Sequence, residues 1–408
     1  MISLFARIAA GCLISCGLYV ALSVRAPKPF DGLSLYAPLH STDVQLRDNL
    51  HHVVHRWKCD LPPGQCTKML PDGSLLRTAR VENPAFEKVY GKGSGGGVQW
   101  INWDGTKRWD YRLSSDRELL HHDIELMPNG HILMLVWVKI PLGESQAHGC
   151  KTATADAPLI SERIVEIDPN TNRTIWSWDA WDHVVQNVDP TLPDFGDPLT
   201  MPTRIDVNLQ RDENDWLHFN ALSYNAAQDL IIVSCRQTSE LWIIDHSTTS
   251  EQAQTSHGGQ RGVGGDIWLR WGNSSSTSRE LYHQHNVHWI PEGLPGAGNI
   301  LLFDNGDELS RPHSRVVELK FHPDREGEDA FEIVWDFIPK SGVFFSAFVS
   351  GVQRLPNGNT FVCSGTQGWV FEVSPKGSVI WQFRFDVQDR LDWLFRLEKY
   401  PRSYAHTS

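Results

Sequence analysis

Long helix-period patterns are scarce in this chain of 408 residues, and their scarcity excludes a helical bundle as its architecture. Basic residues are also short. The 37 lysines and arginines face 49 aspartates and glutamates, a formal charge of −12, which excludes nucleic-acid binding driven by phosphate neutralisation. The seven cysteines contain no CxxC pair, so the usual spacing of a structural zinc site is missing. The glycine-rich run at 91–97 lacks the GxxxxGK[ST] order that cradles nucleotide phosphates, and reads as a flexible inter-strand loop. What the chain does have is 32 glycines, 23 prolines and 17 tryptophans, the composition of many short strands joined by turns. That combination predicts an all-β protein.

At the N-terminus, Arg7 precedes an uncharged run from Ile8 to Val24, which Arg25, Pro27 and Pro29 end. Signal-peptide cores and short membrane anchors overlap at this length, so residues 1–29 are expected to be one or the other. The remainder is then exported, either periplasmic or membrane-anchored with its folded part outside the cytoplasm. Leu13-Ile-Ser-Cys16 has the form of a lipobox, but apolar residues continue past Cys16, which argues against lipidation. In an exported protein, Cys59 and Cys66 could close a short disulfide around the DLPPGQ loop, two unpaired thiols being the alternative. Cys150, Cys235 and Cys363 are isolated and expected to be buried.

The rest of the chain repeats one pattern. An inner apolar strand is followed by a Pro-Asn-Gly-type turn, a second strand, a third with an acidic residue near its end, and a short tryptophan strand. The turns are Leu70-Pro-Asp-Gly73, Met127-Pro-Asn-Gly130 and Leu355-Pro-Asn-Gly358, with looser forms at 224–227 and 296–299. A repeat of roughly 35 to 65 residues with four short strands is the mark of a β-propeller. Five repeats begin near Cys66, Leu120, Trp216, His285 and Gly351. Residues 33–59 supply the outer part of a sixth blade, closed by a strand from the C-terminal tail around 393–397. The expected layout is a six-bladed propeller over 30–400 and a tail at 401–408. Insertions fall at 141–159 and 179–216, the second a candidate lid across one face.

The first strand of each propeller blade lines the axial channel, so polar residues there converge on one point. Three successive blades begin with histidine: His122 in LHHD, His218 in WLHFN and His285 in QHNV, with Arg236 ending the next strand in VSCR. Histidines that merely satisfy backbone groups are the bland alternative. Three imidazoles could also hold zinc or copper, but a fixed guanidinium beside a dication is electrostatically unfavourable. Imidazoles with a guanidinium suit an oxyanion such as sulfate or phosphate. No cofactor or metal is therefore expected. Sulfuryl or phosphoryl transfer would use one neutral histidine as nucleophile and a second to protonate the departing oxygen; Arg236 and the third histidine would hold the equatorial oxygens. Asp123, Asn220 and Asn286 closely follow these histidines and could orient them or form the channel rim. His121, His283 and His288 are expected at the rim or in packing, and Asp304-Asn-Gly-Asp307 reads as an ordinary turn.

Over most of its length the chain resembles the bacterial arylsulfotransferase (aryl-sulfate sulfotransferase) family. The resemblance rests on VVHRW at 53–57, HHDIELMPNG at 121–130, ERIVEID at 162–168, DWLHFNALSYN at 215–225, SCRQ at 234–237, QHNVHWI with LLFDNGD, and VQRLPNGNTFV at 352–362. It implies a six-bladed propeller, usually exported, that moves a sulfuryl group from a phenolic sulfate ester to a phenolic acceptor. The nucleotide donor phosphoadenylyl sulfate (PAPS) takes no part, and the group rests on a histidine between the two steps. By motif, His285 is the nucleophile, and His122, His218 and Arg236 are its partners; the spacing to the Pro-Asn-Gly turn favours His122 over His121. The N-terminal region is too short for the separate strand-rich domain of some members, and the segment after His285 is lengthened by 291–298. A non-catalytic propeller binding an anion or a partner, or an aryl-sulfate hydrolase, are the alternatives.

Overall fold

The computed structural model describes residues 27–89, 95–154, 157–209, 215–273, 279–340, 343–388 and 392–405. The expected signal or anchor lies outside these residues, apart from 27–29. Among the described residues, no helix is long and apolar enough to cross a membrane. Six four-stranded antiparallel sheets form the six blades of a propeller. Blade 1 comprises Pro63–Met69, Leu75–Arg80, Gly96–Ile101 and Lys107–Arg112; blade 2 comprises Glu118–Leu126, Ile132–Ile140, Leu159–Asp168 and Arg173–Asp179. Blade 3 runs Phe219–Asn225, Leu230–Cys235, Glu240–Asp245 and Leu269–Trp271, and blade 4 runs His285–Trp289, Ile300–Asp304, Arg315–Phe321 and Phe331–Phe337. Blade 5 holds Gly351–Arg354, Thr360–Ser364, Trp369–Val373 and Val379–Arg384.

Local chemistry explains the repeat. In the turns at 70–73, 127–130 and 355–358 the glycine N–H donates to the first residue's carbonyl at 2.9 Å, with φ of 77°, 85° and 86° at the glycines. That φ region is open to glycine without a Cβ penalty. Second strands such as Leu230–Cys235 and Ile300–Asp304 are buried along their whole length. Neighbouring blades cover both of their faces, so their sequences are continuous apolar runs rather than alternating ones. The outer strands alternate towards solvent, as in Val379–Arg384. Trp178 on the outer strand of blade 2 is fully buried and donates its indole N–H to Gly265 O at 2.6 Å, stitching that blade to the next.

Blade 6 closes the ring. The strands Gly32–Tyr36, Asp43–Arg47 and Val53–Lys58 form its outer part, as expected, and its inner strand comes from the tail. That strand is Glu398–Pro401, paired Leu33 to Tyr400 and Leu35 to Glu398, rather than the expected 393–397. The fully buried Lys399 pins it to blade 5 through Glu372, at 3.1 Å, and Tyr400 Oη accepts the N–H of Met69 in blade 1 at 3.0 Å. The displaced stretch 393–397 serves the channel mouth instead. A turn of 3-10 helix, Arg402–Tyr404, continues onto blade 6, with Tyr404 5.8 Å from Tyr400.

The Cys59–Cys66 bridge does not form; both thiols are free and buried. Cys66 points into the interface with blade 2, its thiol 3.9 Å from Ile124 O, whereas Cys59 packs in the core of blade 6 beside the buried Arg77. The two side chains belong to different clusters and so pack in different surroundings. Cys150, Cys235 and Cys363 are free and buried, as expected.

Candidate active site

The inner strands of blades 1 to 4 share a β-bulge: register shifts fall between Pro63 and Thr67, His121 and Ile124, Phe219 and Ala221, and His285 and His288. At or beside these bulges, His122, His218 and Asn286 take φ of 43°, 54° and 53°, a region that costs a non-glycine residue about 1 kcal/mol or more. The strain re-aims side chains at the channel mouth, a recurrent use of bulges beside functional sites. Asp123, Asn220 and Asn286 do not orient the histidine rings. Each clips its blade to the next: Asp123 Oδ2 accepts Leu222 N–H at 3.3 Å, Asn220 Nδ2 donates to Gln284 O at 2.8 Å, and Asn286 Oδ1 accepts Val352 N–H at 2.8 Å.

His285 is buried, and its Nδ1 lies 2.7 Å from Asn305 Oδ1 and 3.0 Å from His283 O. The amide orientation of Asn305 is fixed, because Nδ2 donates to Ser346 O at 2.7 Å and Val349 O at 3.0 Å. Both groups facing Nδ1 can only accept, so Nδ1 carries the proton and Nε2 carries the lone pair. Burial, then the charge of Arg236, holds the imidazole well below its ordinary pKa and therefore neutral. Asn305 belongs to the turn expected to be ordinary. Its neighbour Asp304 is equally buried, with Arg315 Nε at 2.9 Å and Arg311 beside it.

His218 Nδ1 lies 2.5 Å from Asp215 Oδ2, a carboxylate–imidazole pair at the end of the 179–216 insertion. The start of that insertion is anchored. It is tied to the outer loop of blade 3 by His183, which meets Asp266 and Ala253 O, each at 2.8 Å. Arg236 N–H donates to His218 O at 3.2 Å, which places these two residues side by side.

The rings of His122 and His218 meet at a centroid separation of 4.7 Å. Phe395 lies 6.0 Å from His122 and 6.5 Å from His285, so these two histidines flank one aromatic ring. Trp393 stacks on the half-exposed Phe348 at 5.8 Å, and the Arg236 guanidinium lies 5.3 Å above Phe348. The tail reaches this place because blade 5 offers glycines under it; a Cβ on Gly365 would stand 2.1 Å from Leu394 O, and one on Gly351 2.7 Å from Arg396 Cβ. Arg396, buried, forms an ion pair with Asp123.

His122, His218, His285 and Arg236 are thus brought together. His121 is not at the rim; it lies behind His122, 2.8 Å from it. His283 is half-buried, its carbonyl turned to His285, and His288 lies on the same strand with burial pushing its pKa down to about 4. Asn305, Asp215 and Glu162 are the functional neighbours that sequence reasoning missed. Each stands inside a quoted motif, FDNGD, DWLHFN and ERIVEID, which is the only signal that pointed to them. Among the described residues, no three His, Cys, Asp or Glu side chains are placed to hold a metal. A groove of about 710 Å³ between the outer strands of blades 4 and 5, lined by Trp335, Lys340, Trp369 and Gln382, contains none of these histidines.

Compared with known families, residues 73–390 match the one described as Arylsulfotransferase (ASST). No curated protein matches the sequence. Among solved structures, a protein of unknown function from Bacteroides caccae is similar over 91% of this chain and 99% of its own, at 12% identity and a TM-score of 0.51, and shares the fold. Virginiamycin B lyase from Staphylococcus aureus is similar over 88% of this chain and 86% of its own, at 9% identity and a TM-score of 0.41.

Proposed function

The chain belongs to the arylsulfotransferase family, and from that premise we propose that it moves a sulfuryl group from a phenolic sulfate ester to a phenol through a histidine intermediate. Family membership supports aryl sulfotransfer in general and small aryl sulfates and phenols as substrates. The finer steps rest on the geometry of the site. His285 Nε2 attacks sulfur in line with the aryl oxygen; the N–S bond forms as the S–O bond breaks, and the electron pair leaves on the aryl oxygen. His218, held at Nδ1 by Asp215, delivers a proton to that oxygen from Nε2. Arg236 and His122 hold the equatorial oxygens. The sulfurylated ring keeps its Nδ1 proton and becomes cationic, and the Asn305 oxygen at 2.7 Å stabilises that charge. In the second half, His218 takes the proton of the acceptor phenol, whose oxygen displaces His285 from sulfur. No nucleotide donor is needed in either half.

The observation that carries this reading is the His285 ring, buried, neutral, and tied at Nδ1 so that Nε2 is the nucleophilic nitrogen. The Phe348–Trp393 stack supports an aryl substrate, since ring-on-ring contact contributes about 0.5–1.5 kcal/mol beyond area burial. Export of the propeller stays part of the proposal and rests on the apolar run from Ile8 to Val24. Initial rates with an aryl sulfate donor and a phenol acceptor, both varied, test it. Parallel double-reciprocal lines, and their loss in a folded His285→Asn variant, are expected. Binding without turnover would instead mean a non-catalytic propeller, and sulfate release insensitive to phenol would mean a hydrolase.

A further inference from the structure

Behind His122 stands a chain of two polar side chains, His121 and Glu162. His121 Nδ1 is 2.8 Å from His122 Nδ1, and His121 Nε2 is 2.8 Å from Glu162 Oε2. Glu162 Oε1 accepts the N–H of Phe219 at 2.8 Å. His121 lies flat on the Trp137 indole at 4.4 Å, and neither His121 nor Glu162 has any exposed surface.

Two imidazole nitrogens that face each other share one proton, so one donates and the other accepts. The proton inventory of the Glu162–His121 pair therefore decides the tautomer of His122. With one proton, on His121 Nε2, the pair carries a net negative charge; His122 must then donate from Nδ1, and its Nε2 is bare. With two protons the pair is neutral. His121 Nδ1 is then protonated whichever end of the Glu162–His121 bond holds the second proton, His122 Nδ1 accepts, and the remaining proton of His122 sits on Nε2.

Burial selects the neutral pair. A net charge with no solvent access is strongly disfavoured unless an opposite charge lies beside it. The Glu162 carboxylate meets the His121 ring, the Phe219 N–H and the Trp137 side chain, none of them a fixed cation, and the second carboxylate, Asp215, is close enough to repel it. Burial and Asp215 accordingly push the Glu162 acid well above the ordinary carboxylate range, and burial holds His121 well below its own.

We propose that Glu162, acting through His121, is a positioning residue that holds His122 with its proton on Nε2, as a standing donor to an anionic oxygen beside His218. The consequence for turnover rests on the sulfuryl-transfer reading; the tautomer does not. Histidine-15N NMR of the intact chain, with His122 assigned by its loss in His122→Gln, reads the tautomer directly. An Nε2–H and a bare Nδ1 are expected without any substrate. Glu162→Gln preserves the acceptor for Phe219, and its amide donates to His121 Nε2, so the tautomer persists and kcat stays within about threefold of the unaltered protein. Glu162→Met keeps the volume but removes the donor; the tautomer becomes mixed and kcat falls about tenfold or more with KM little changed. Thermal melting checks that both variants fold. A bare Nε2 on His122 in the unaltered protein would overturn the proposal. So would a folded Glu162→Gln as slow as Glu162→Met, because that result would mean the carboxylate charge is required. An Nε2–H tautomer in a protein that turns over no aryl sulfate would uphold this inference while the reading of the site failed.

Discussion

Replacing Asn305 by alanine removes a side-chain acceptor of His285 Nδ1 and takes away the Nδ2 donor to the carbonyls of Ser346 and Val349. Three buried hydrogen bonds at about 1 kcal/mol each give a stability loss of about 3 kcal/mol, readable as a shift in the urea midpoint. The effect on turnover has a separate origin. In the sulfurylated state the ring is cationic, and a hydrogen bond to a charged group contributes about 1.5–3 kcal/mol, so kcat should fall about 10- to 150-fold. Asn305→Asp separates the two effects. It keeps an acceptor for Nδ1 but turns carboxylate oxygens onto two carbonyls, so it should be the less stable of the two variants and the faster per folded molecule. Its added negative charge should also raise the pKa of His285 and move the acid limb of the rate profile to higher pH. The assay is aryl-sulfate turnover per folded protein, with the folded fraction taken from circular dichroism. A folded Asn305→Ala with a rate within twofold of the unaltered protein would refute the role given to this residue.

Arg236→Met should likewise move the acid limb upward, because the guanidinium helps to hold His285 below its ordinary pKa; a pH–rate profile checks the direction. Removing Asp123 leaves Arg396 buried without its counter-charge, so Asp123→Ala should cost about 3–5 kcal/mol in urea unfolding, and the paired change with Arg396→Met should recover part of it. The network of His131, Glu166, His246 and Asp229 should make stability pH-dependent. Burial opposes the charge on His246, but its bonds to Glu166 and Asp229 win and raise its pKa. Its contribution is therefore complete below about pH 6.5 and is lost as pH rises through the folded value. Glu166, held down to about 2 by His246, His131 and Asn129 despite burial, contributes above its ordinary range and loses that contribution as pH falls through about 2. The stability difference between the unaltered protein and His246→Gln should thus be largest between about pH 4.5 and 6.5. Alkylation in denaturant without reductant should label Cys59 and Cys66 as free thiols.

The blades were legible because the repeats punctuate themselves: a Pro-Asx-Gly turn fixes the first hairpin in three of them, and a tryptophan strand ends the sheet. The site was legible because a propeller brings successive blade starts together, so His122, His218 and His285 could be grouped without knowing any distance. Their supports were not legible, for three physical reasons. A strand rule places neighbouring residues on opposite faces, and the bulges at His122, Asn220 and Asn286 break that rule where it mattered. Asn305 looks like turn chemistry because Asn favours turns; only the fold shows its amide spanning two carbonyls and a histidine. The tail misled for a related reason. The aromatics at 393–397 read as a closing strand, whereas Lys399 and Tyr400 supply the pairing and Trp393 and Phe395 line the mouth. The disulfide failed because sequence proximity of Cys59 and Cys66 says nothing about which blade interface each faces.

The most direct test of the account is the covalent intermediate itself. The purified chain is mixed with an aryl sulfate in the absence of acceptor, quenched at alkaline pH to protect an N–S bond, digested and analysed by mass spectrometry. One SO₃ adduct is expected on the peptide containing His285, absent from His285→Asn and discharged when a phenol is added. Turnover that persists in His285→Asn, or an adduct on another residue, would contradict it.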